Sequence, residues 1–243
     1  MISLNVTGPL LFTGSLLALA PALALAGACN HNVYTPPARA FAVTSPQVLQ
    51  PGETAARGTI SSSSQLFGPE IFAATAGVRR GAHEDLEVVG DASFAKVNEG
   101  TAAGTNRNIA MGRIGAKVNP TESPNLAVTA GVGGGYAPAS GMYASADVGV
   151  VVGYENRYLV PFASFGAFAS VPIDPKEVDT TQPSDSEQHV DTPEKTQGLT
   201  IGVGLKRPFE TSALFVGITW TKVRDNDSED EFMSIGVGVE AGF

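Results

Sequence analysis

The sequence predicts an all-β fold, and three features of the chain lead to this prediction. After residue 52, apolar residues alternate with small or polar residues at the period of two that is typical of strands. Glycine is abundant, at 28 of 243 residues, and only 16% of residues are charged, against about 25% in ordinary soluble domains. The single cysteine excludes an intrachain disulfide framework, and the net charge of −9 argues against nucleic acid as a partner.

The chain begins with an apolar segment that has the layout of a secretory signal. Leucines interleaved with Ala and Gly form an apolar run that ends in small residues, although no Lys or Arg precedes it. We therefore assign residues 1–28 to a signal peptide. The motif at 25–29, Leu-Ala-Gly-Ala-Cys, resembles a bacterial lipoprotein box, which implies that Cys29 becomes the acylated first residue of the mature chain. Cleavage after Ala26, which leaves Cys29 as an ordinary thiol, is the alternative.

Residues 29–52 are predicted to form an extended N-terminal linker, either anchored by lipid or free. The segment contains four prolines, few apolar residues and no consistent period, which is typical of a Pro-rich tether. The folded domain is then 53–243.

Strand-like alternation is clearest at the C-terminus of the chain. From Met233 to Phe243 every second residue is apolar, and Ser, Gly or Glu stand between. The same period recurs upstream, faintly in places, while 71–80 and 159–171 are apolar on both faces and 53–64 is the weakest candidate. In chain order, the predicted strands are 53–64, 71–80, 86–94, 113–118, 126–136, 143–155, 159–171, 199–206, 214–221 and 233–243.

These strands have the length and number expected of a membrane-spanning barrel. Most are 9–13 residues long, and a tilted strand crosses a bilayer in about 9–11 residues. A sheet in hydrocarbon must close on itself, because an open edge leaves backbone groups unpaired. Closed bacterial barrels have even strand numbers, so nine clear strands favour accepting 53–64 as the tenth. We predict a closed antiparallel up-and-down transmembrane β-barrel of ten strands, with eight as the alternative.

The connections between strands alternate in length, as they do in such barrels. Short connections at one end of the predicted barrel alternate with longer ones at the other, and only 137–141 breaks the contrast. The short connections are 81–85, 119–125, 155–157 and 207–211, and the longer ones include 97–107, 172–196 and 224–230.

The export signal, the ten alternating segments and the uneven connections together resemble a bacterial outer-membrane β-barrel. In that family a terminal aromatic residue on an amphipathic strand is presented to the barrel assembly machinery, which implies this role for Phe243. The resemblance also implies outer-membrane lipid as a partner and a location in the bacterial outer membrane. Both termini would then be periplasmic, and the loops at 172–196 and 224–231 would be extracellular.

A soluble, lipocalin-like binding barrel of the periplasm is the alternative fold. Such a barrel points its apolar side chains inward and covers its outer face with Lys, Glu and Gln. Here the second face of the strands carries mainly Gly, Ser, Thr and Ala, which suits a barrel lumen better than solvent.

The charges on the second face should line the lumen and pair with one another. Many inward positions are glycine, so a small passive pore for ions or solutes is the alternative to a structural or surface-exposed role. The predicted lumen charges are Arg57, Arg79, Glu87, Asp91, Arg113, Lys117, Asp147, Glu155, Lys206 and Glu240.

The chain offers weak candidates for metal binding and for catalysis. The acidic run Asp225, Asp227 and Glu229 loosely resembles a calcium loop but lacks its glycine and its spaced glutamate. Divalent cations at the acidic loops therefore remain a weak alternative. The three histidines lie outside the predicted strands, and the usual motifs of hydrolases and metalloproteases do not occur. We predict a protein without a cofactor that is not an enzyme.

Overall fold

The computed structural model is a closed antiparallel β-barrel. It describes residues 34–65, 71–97, 108–121, 123–137, 140–179 and 190–243. The predicted signal peptide and Cys29 lie outside these residues. The barrel strands are β1 (Thr54–Gln65), β2 (Ile71–His83), β3 (Leu86–Val97), β4 (Asn108–Val118), β5 (Leu126–Ala137), β6 (Gly141–Gly153), β7 (Val160–Pro172), β10 (Thr196–Pro208), β11 (Ser212–Arg224) and β12 (Glu229–Gly242), and the short strands β8 (Val178–Asp179) and β9 (Val190–Asp191) form a separate hairpin.

Each barrel strand pairs with the next one along the chain, and β1 closes the barrel against β12. The closing pair runs from Ala55 opposite Gly242 to Gln65 opposite Phe232. The predicted strand count of ten is therefore confirmed, and the segment with the weakest pattern makes the closure. Within the part of the chain that the structure describes, no helix is long and apolar enough to cross a membrane.

The apolar face of the strands points outward, as the alternation predicts. On β12, the side chains of Ile235, Val237 and Val239 are 53%, 47% and 56% exposed. The inward face is polar, and neighbouring strands meet there through hydroxyl pairs such as Thr75 with Ser93, whose oxygens lie 2.7 Å apart. The lipocalin-like arrangement is not observed, because it places the apolar side chains inside the barrel.

The two ends of the barrel differ. We call the end with the short β2–β3, β4–β5, β6–β7 and β10–β11 connections the turn end, and the opposite one the loop end. The C-terminus lies at the turn end, where the Phe243 N–H donates to the Thr54 carbonyl oxygen at 2.9 Å.

Residues 34–50 are not an external tether but run through the barrel lumen, which corrects the prediction for the linker. We call them the plug segment. Near its start, Tyr34 bonds Ser228 in the β11–β12 loop at the loop end. At its finish, the carbonyl of Gln50 accepts from the Glu53 N–H at the turn end. Phe41 and Val43, between these points, are 2% and 0% exposed.

Candidate functional site

The site of interest is the lumen together with the plug segment that fills it. At the loop end, Thr35 is tied to the start of β10. Its N–H donates to Thr196 Oγ1 at 3.0 Å, and its hydroxyl donates to the Glu194 carbonyl at 2.8 Å. The ring of Tyr34 packs edge-on against Phe232, with centroids 6.2 Å apart. The plug segment is thus held where it enters the barrel.

In the middle of the lumen, the plug segment packs against a wall of glycine. A Cβ added at Gly236 would come within 2.7 Å of Phe41 Cε1, and one at Gly217 within 2.7 Å of Val43 Cγ1. The inward glycines leave volume in the lumen, as the sequence suggests, and the plug segment occupies that volume. Phe41 and Val43 form a buried apolar cluster with Ala127, Val151 and Phe162 of the wall.

Towards the turn end, the lumen contains a network of buried charges centred on Glu87. Arg79 donates to both oxygens of this carboxylate, from Nε at 2.7 Å and from Nη2 at 2.6 Å. Lys117 Nζ lies 3.2 Å from Glu87 Oε1. Glu240 accepts from Arg79 and, at 2.9 Å, from Lys206. Opposite charges are paired because an isolated buried charge would be very costly.

The same charged groups bind the backbone of the plug segment. Lys117 Nζ donates to the carbonyls of Gln47 at 2.6 Å and Ser45 at 3.3 Å. Arg79 Nη2 donates to the Gln47 carbonyl at 2.9 Å, and Glu87 accepts from the Leu49 N–H at 3.2 Å. The plug segment forms no strand in this structure, so wall side chains supply partners that its buried backbone groups need.

A second charged group lies farther along the lumen. Arg113 donates to both oxygens of Asp147, at 2.6 and 2.7 Å. It also lies 3.9 Å from Asp91, which accepts from Arg39 of the plug segment at 3.5 Å. A Cβ at Gly131 would come within 2.3 Å of the Arg113 guanidinium, so glycine makes room for this side chain too.

The structure places nine of the ten predicted lumen charges inside the barrel. Arg57 stacks over the ring of Phe215, with Cζ 5.1 Å from the centroid. Glu155 is the exception, because β6 ends at Gly153 and Glu155 is exposed in the following turn. Its N–H donates to Asn125 Oδ1 at 2.8 Å. The alternation in the sequence continues past Gly153, the last residue of β6, and therefore wrongly predicts that Glu155 lines the lumen.

Arg39 is a lumen charge that the sequence analysis missed. It lies in the segment interpreted as a linker, where no period assigns a direction to any side chain. The sequence feature that comes closest to indicating burial is the apolar stretch with Phe41 and Val43, which follow Arg39 by two and four residues.

The candidates for metal binding and catalysis do not converge in the described residues. Asp225 Oδ1 accepts from the backbone N–H groups of Asp227 at 3.0 Å and Ser228 at 2.7 Å, and Glu229 pairs with Lys222. No group of three His, Cys, Asp or Glu side chains that could hold a metal ion occurs in this part of the chain. His83 is exposed at the end of β2, and the other two histidines lie outside the described residues.

Comparison with known proteins gives matches at the level of the fold alone. No family model and no curated protein matches the chain. Among solved structures, the Neisserial surface protein A matches with a TM-score of 0.39 and 11% identity, over 79% of this chain and 96% of that one. The N-terminal β-barrel domain of Pseudomonas aeruginosa OprF gives 0.36 and 12%, over 78% and 97%. The Escherichia coli outer membrane protease OmpT gives 0.45 and 11%, over 82% and 100%. The resemblance to bacterial outer-membrane β-barrels is thus one of architecture.

Proposed function

We propose that this chain is an outer-membrane β-barrel protein with a structural or surface-exposed, non-catalytic role, and that its own N-terminal segment closes the lumen. The observation that carries the proposal is the combination of an apolar exterior with a paired, charged interior around the plug segment. An interior of this kind is found in barrels that span membranes.

The outer face supports a location in lipid. Each barrel strand exposes at least one large apolar side chain among its described residues. An apolar surface of this extent is unfavourable in water. Partners would then be outer-membrane lipid and, through Phe243, the barrel assembly machinery. The terminal ring is 80% exposed, which leaves it free for recognition. Acylation of Cys29 is proposed from the lipoprotein-like motif alone.

The packing of the lumen favours a closed barrel over the passive pore as the resting state. Between the plug segment and the wall, the cavity bordered by Val43, Arg57 and Glu240 has a volume of about 10 Å³, which is room for about one water molecule. The charges there bind each other and the plug backbone. They do not form a constellation of nucleophile and base, which supports the non-catalytic role.

The proposed orientation places the loops outside the cell and the C-terminus in the periplasm. Tyr34 then lies on the outer side and Phe243 on the periplasmic side, because the two residues stand at opposite ends of the barrel. This differs from the prediction that both termini are periplasmic.

Membrane fractionation tests the proposal. We expect the expressed protein in the outer membrane, with a band on SDS gels whose mobility changes on heating. In planar bilayers the intact protein should give no steps of conductance. Recovery as a soluble periplasmic protein with unchanged mobility would overturn the membrane assignment, and frequent open steps would overturn the closed lumen.

A further inference from the structure

We propose that the lumen is a binding site for an extended polypeptide, that the plug segment is its ligand within the same chain, and that displacing this ligand opens a water-filled channel. The inference rests on the proposed function, since a channel requires that the barrel span a membrane.

The wall recognises the plug segment mainly through its backbone. Donors reach its carbonyls at three positions. Lys117 donates to Ser45 and Gln47, and Arg79 also donates to Gln47. The Tyr143 hydroxyl donates to Pro37 at 3.3 Å. Acceptors on the wall take two of its N–H groups, those of Thr35 and Leu49. An extended peptide offers such groups along its whole length, and its prolines keep it extended at little entropic cost.

Side-chain complementarity adds specificity for this particular segment. Phe41 stands over Gly236, Val43 over Gly217, and Ala38 near Gly133, where an added Cβ would meet the Ala38 Cβ at 2.8 Å. Each of these three apolar side chains therefore meets a wall position that has no side chain. A peptide with large residues at other positions would clash with the wall.

The barrel does not depend on the plug segment for its closure. All ten strands are joined by their own ladder, and the plug segment forms no strand within it. Arg79 with Glu87 and Arg113 with Asp147 would remain paired if the segment left. The emptied lumen would have a polar wall with many glycines, and water would fill it.

The connection to β1 is anchored at the turn end. The chain reverses at Gly52, whose φ of 86° is readily adopted only by glycine. The Gln50 N–H donates to Glu53 Oε2 at 3.0 Å, and the Gly52 N–H to the Gly81 carbonyl at 2.9 Å. The plug segment thus joins the barrel through a tight turn that is bonded to β2, so this turn and β1 can stay in place when the rest of the segment leaves the lumen.

Conductance of a variant that lacks residues 34–48 tests the inference. The deletion retains the chain before residue 34, and the purified protein is inserted into planar bilayers beside the full chain. We expect stable open steps from the variant and none from the full chain. A synthetic peptide of sequence 34–50 should reduce the open current in a concentration-dependent manner, while a scrambled peptide should not. A heat-modifiable variant without conductance, or one blocked equally by both peptides, would overturn the inference.

A point variant in the full chain keeps the test decisive if the deletion fails to fold. Gly236→Leu places a side chain where the Phe41 ring lies, whereas Gly90→Leu is a matched control on the outer face with nothing within 4 Å of the added Cβ. We expect open steps from Gly236→Leu, none from Gly90→Leu, and closure again when Phe41→Ala is added to Gly236→Leu. Equal, closed behaviour of the two leucine variants would overturn the inference. Loss of the heat-modifiable band in the full chain would instead count against the proposed function.

Discussion

Lys117 Nζ lies 2.6 Å from the carbonyl oxygen of Gln47, so a side chain of the barrel wall holds the backbone of a segment 70 residues earlier in the chain. The same ammonium group pairs with Glu87 at 3.2 Å. Lys117 is 1% exposed and Glu87 is 0% exposed. One buried cation therefore connects two strands of the barrel to the plug segment. Its loss should affect both the stability of the barrel and the position of the segment.

Replacing Lys117 by methionine should loosen the plug segment and destabilise the barrel. Glu87 keeps Arg79 as a partner, so we expect a loss of about 2–3 kcal/mol, less than the ~3–5 kcal/mol typical of a broken buried pair. Unfolding in urea from detergent micelles measures the change. Lys96→Met is the control, because Lys96 is exposed on the outward face near the end of β3. Equal midpoints for the two variants would contradict a holding role for Lys117.

Cysteines at the two ends of the plug segment should be reached from opposite sides of the membrane. We expect Tyr34→Cys to react with an impermeant maleimide on intact cells, and Gln50→Cys, at the exposed end of the segment, to react after the outer membrane is permeabilised. The unaltered chain, with Cys29 alone, gives the background. Reaction of both variants from the same side would contradict passage of the segment through the lumen, and the reverse pattern would invert the proposed orientation.

A lysine on the outward face should be costly in the middle of a strand and tolerated at its end. Basic residues on the lipid face of such barrels cost about 2–4 kcal/mol at the bilayer midplane and about 0–1 kcal/mol near the interface. We therefore expect Ile235→Lys to destabilise the barrel in lipid vesicles far more than Ala241→Lys, which lies on the same face of β12 near the turn end. Equal costs would contradict the membrane assignment.

Much of the barrel is predictable from the sequence because each wall residue has one side towards lipid and one towards the lumen. Alternation reports this two-sided environment, and it assigns Arg79, Glu87 and Arg113 inward correctly. β1 has the weakest alternation, since Ile60 is the only large apolar residue that points outward among its described side chains, and serines form much of the strand. Its prediction depends on the even number of strands in closed barrels, which is a property of the whole barrel.

The plug segment was not predictable in this way, because the wall surrounds it on all sides. No face of the segment differs from another, so burial leaves no period in its sequence, and its prolines are as typical of a free tether as of a buried one. The sequence does contain small wall residues that match the apolar residues of the segment. Gly217 and Gly236 leave space on the inner side of the wall, and Val43 and Phe41 are the apolar groups that fill it.

The terminal ring of Phe243 should matter for assembly in cells and little for the folded barrel. The Phe243 N–H still donates to the Thr54 carbonyl in a Phe243→Ala variant, so the closure of β1 on β12 remains complete. The ring itself is 80% exposed, and its removal leaves no cavity. We expect the variant to accumulate less in the outer membrane but to refold in detergent with an unchanged urea midpoint. Phe209→Ala is the control, since Phe209 is an aromatic residue exposed at the same end of the barrel. Equal accumulation of the two variants would contradict recognition of the terminal residue. If Phe243→Ala refolded in detergent as poorly as it accumulates in cells, the ring would have a structural role instead.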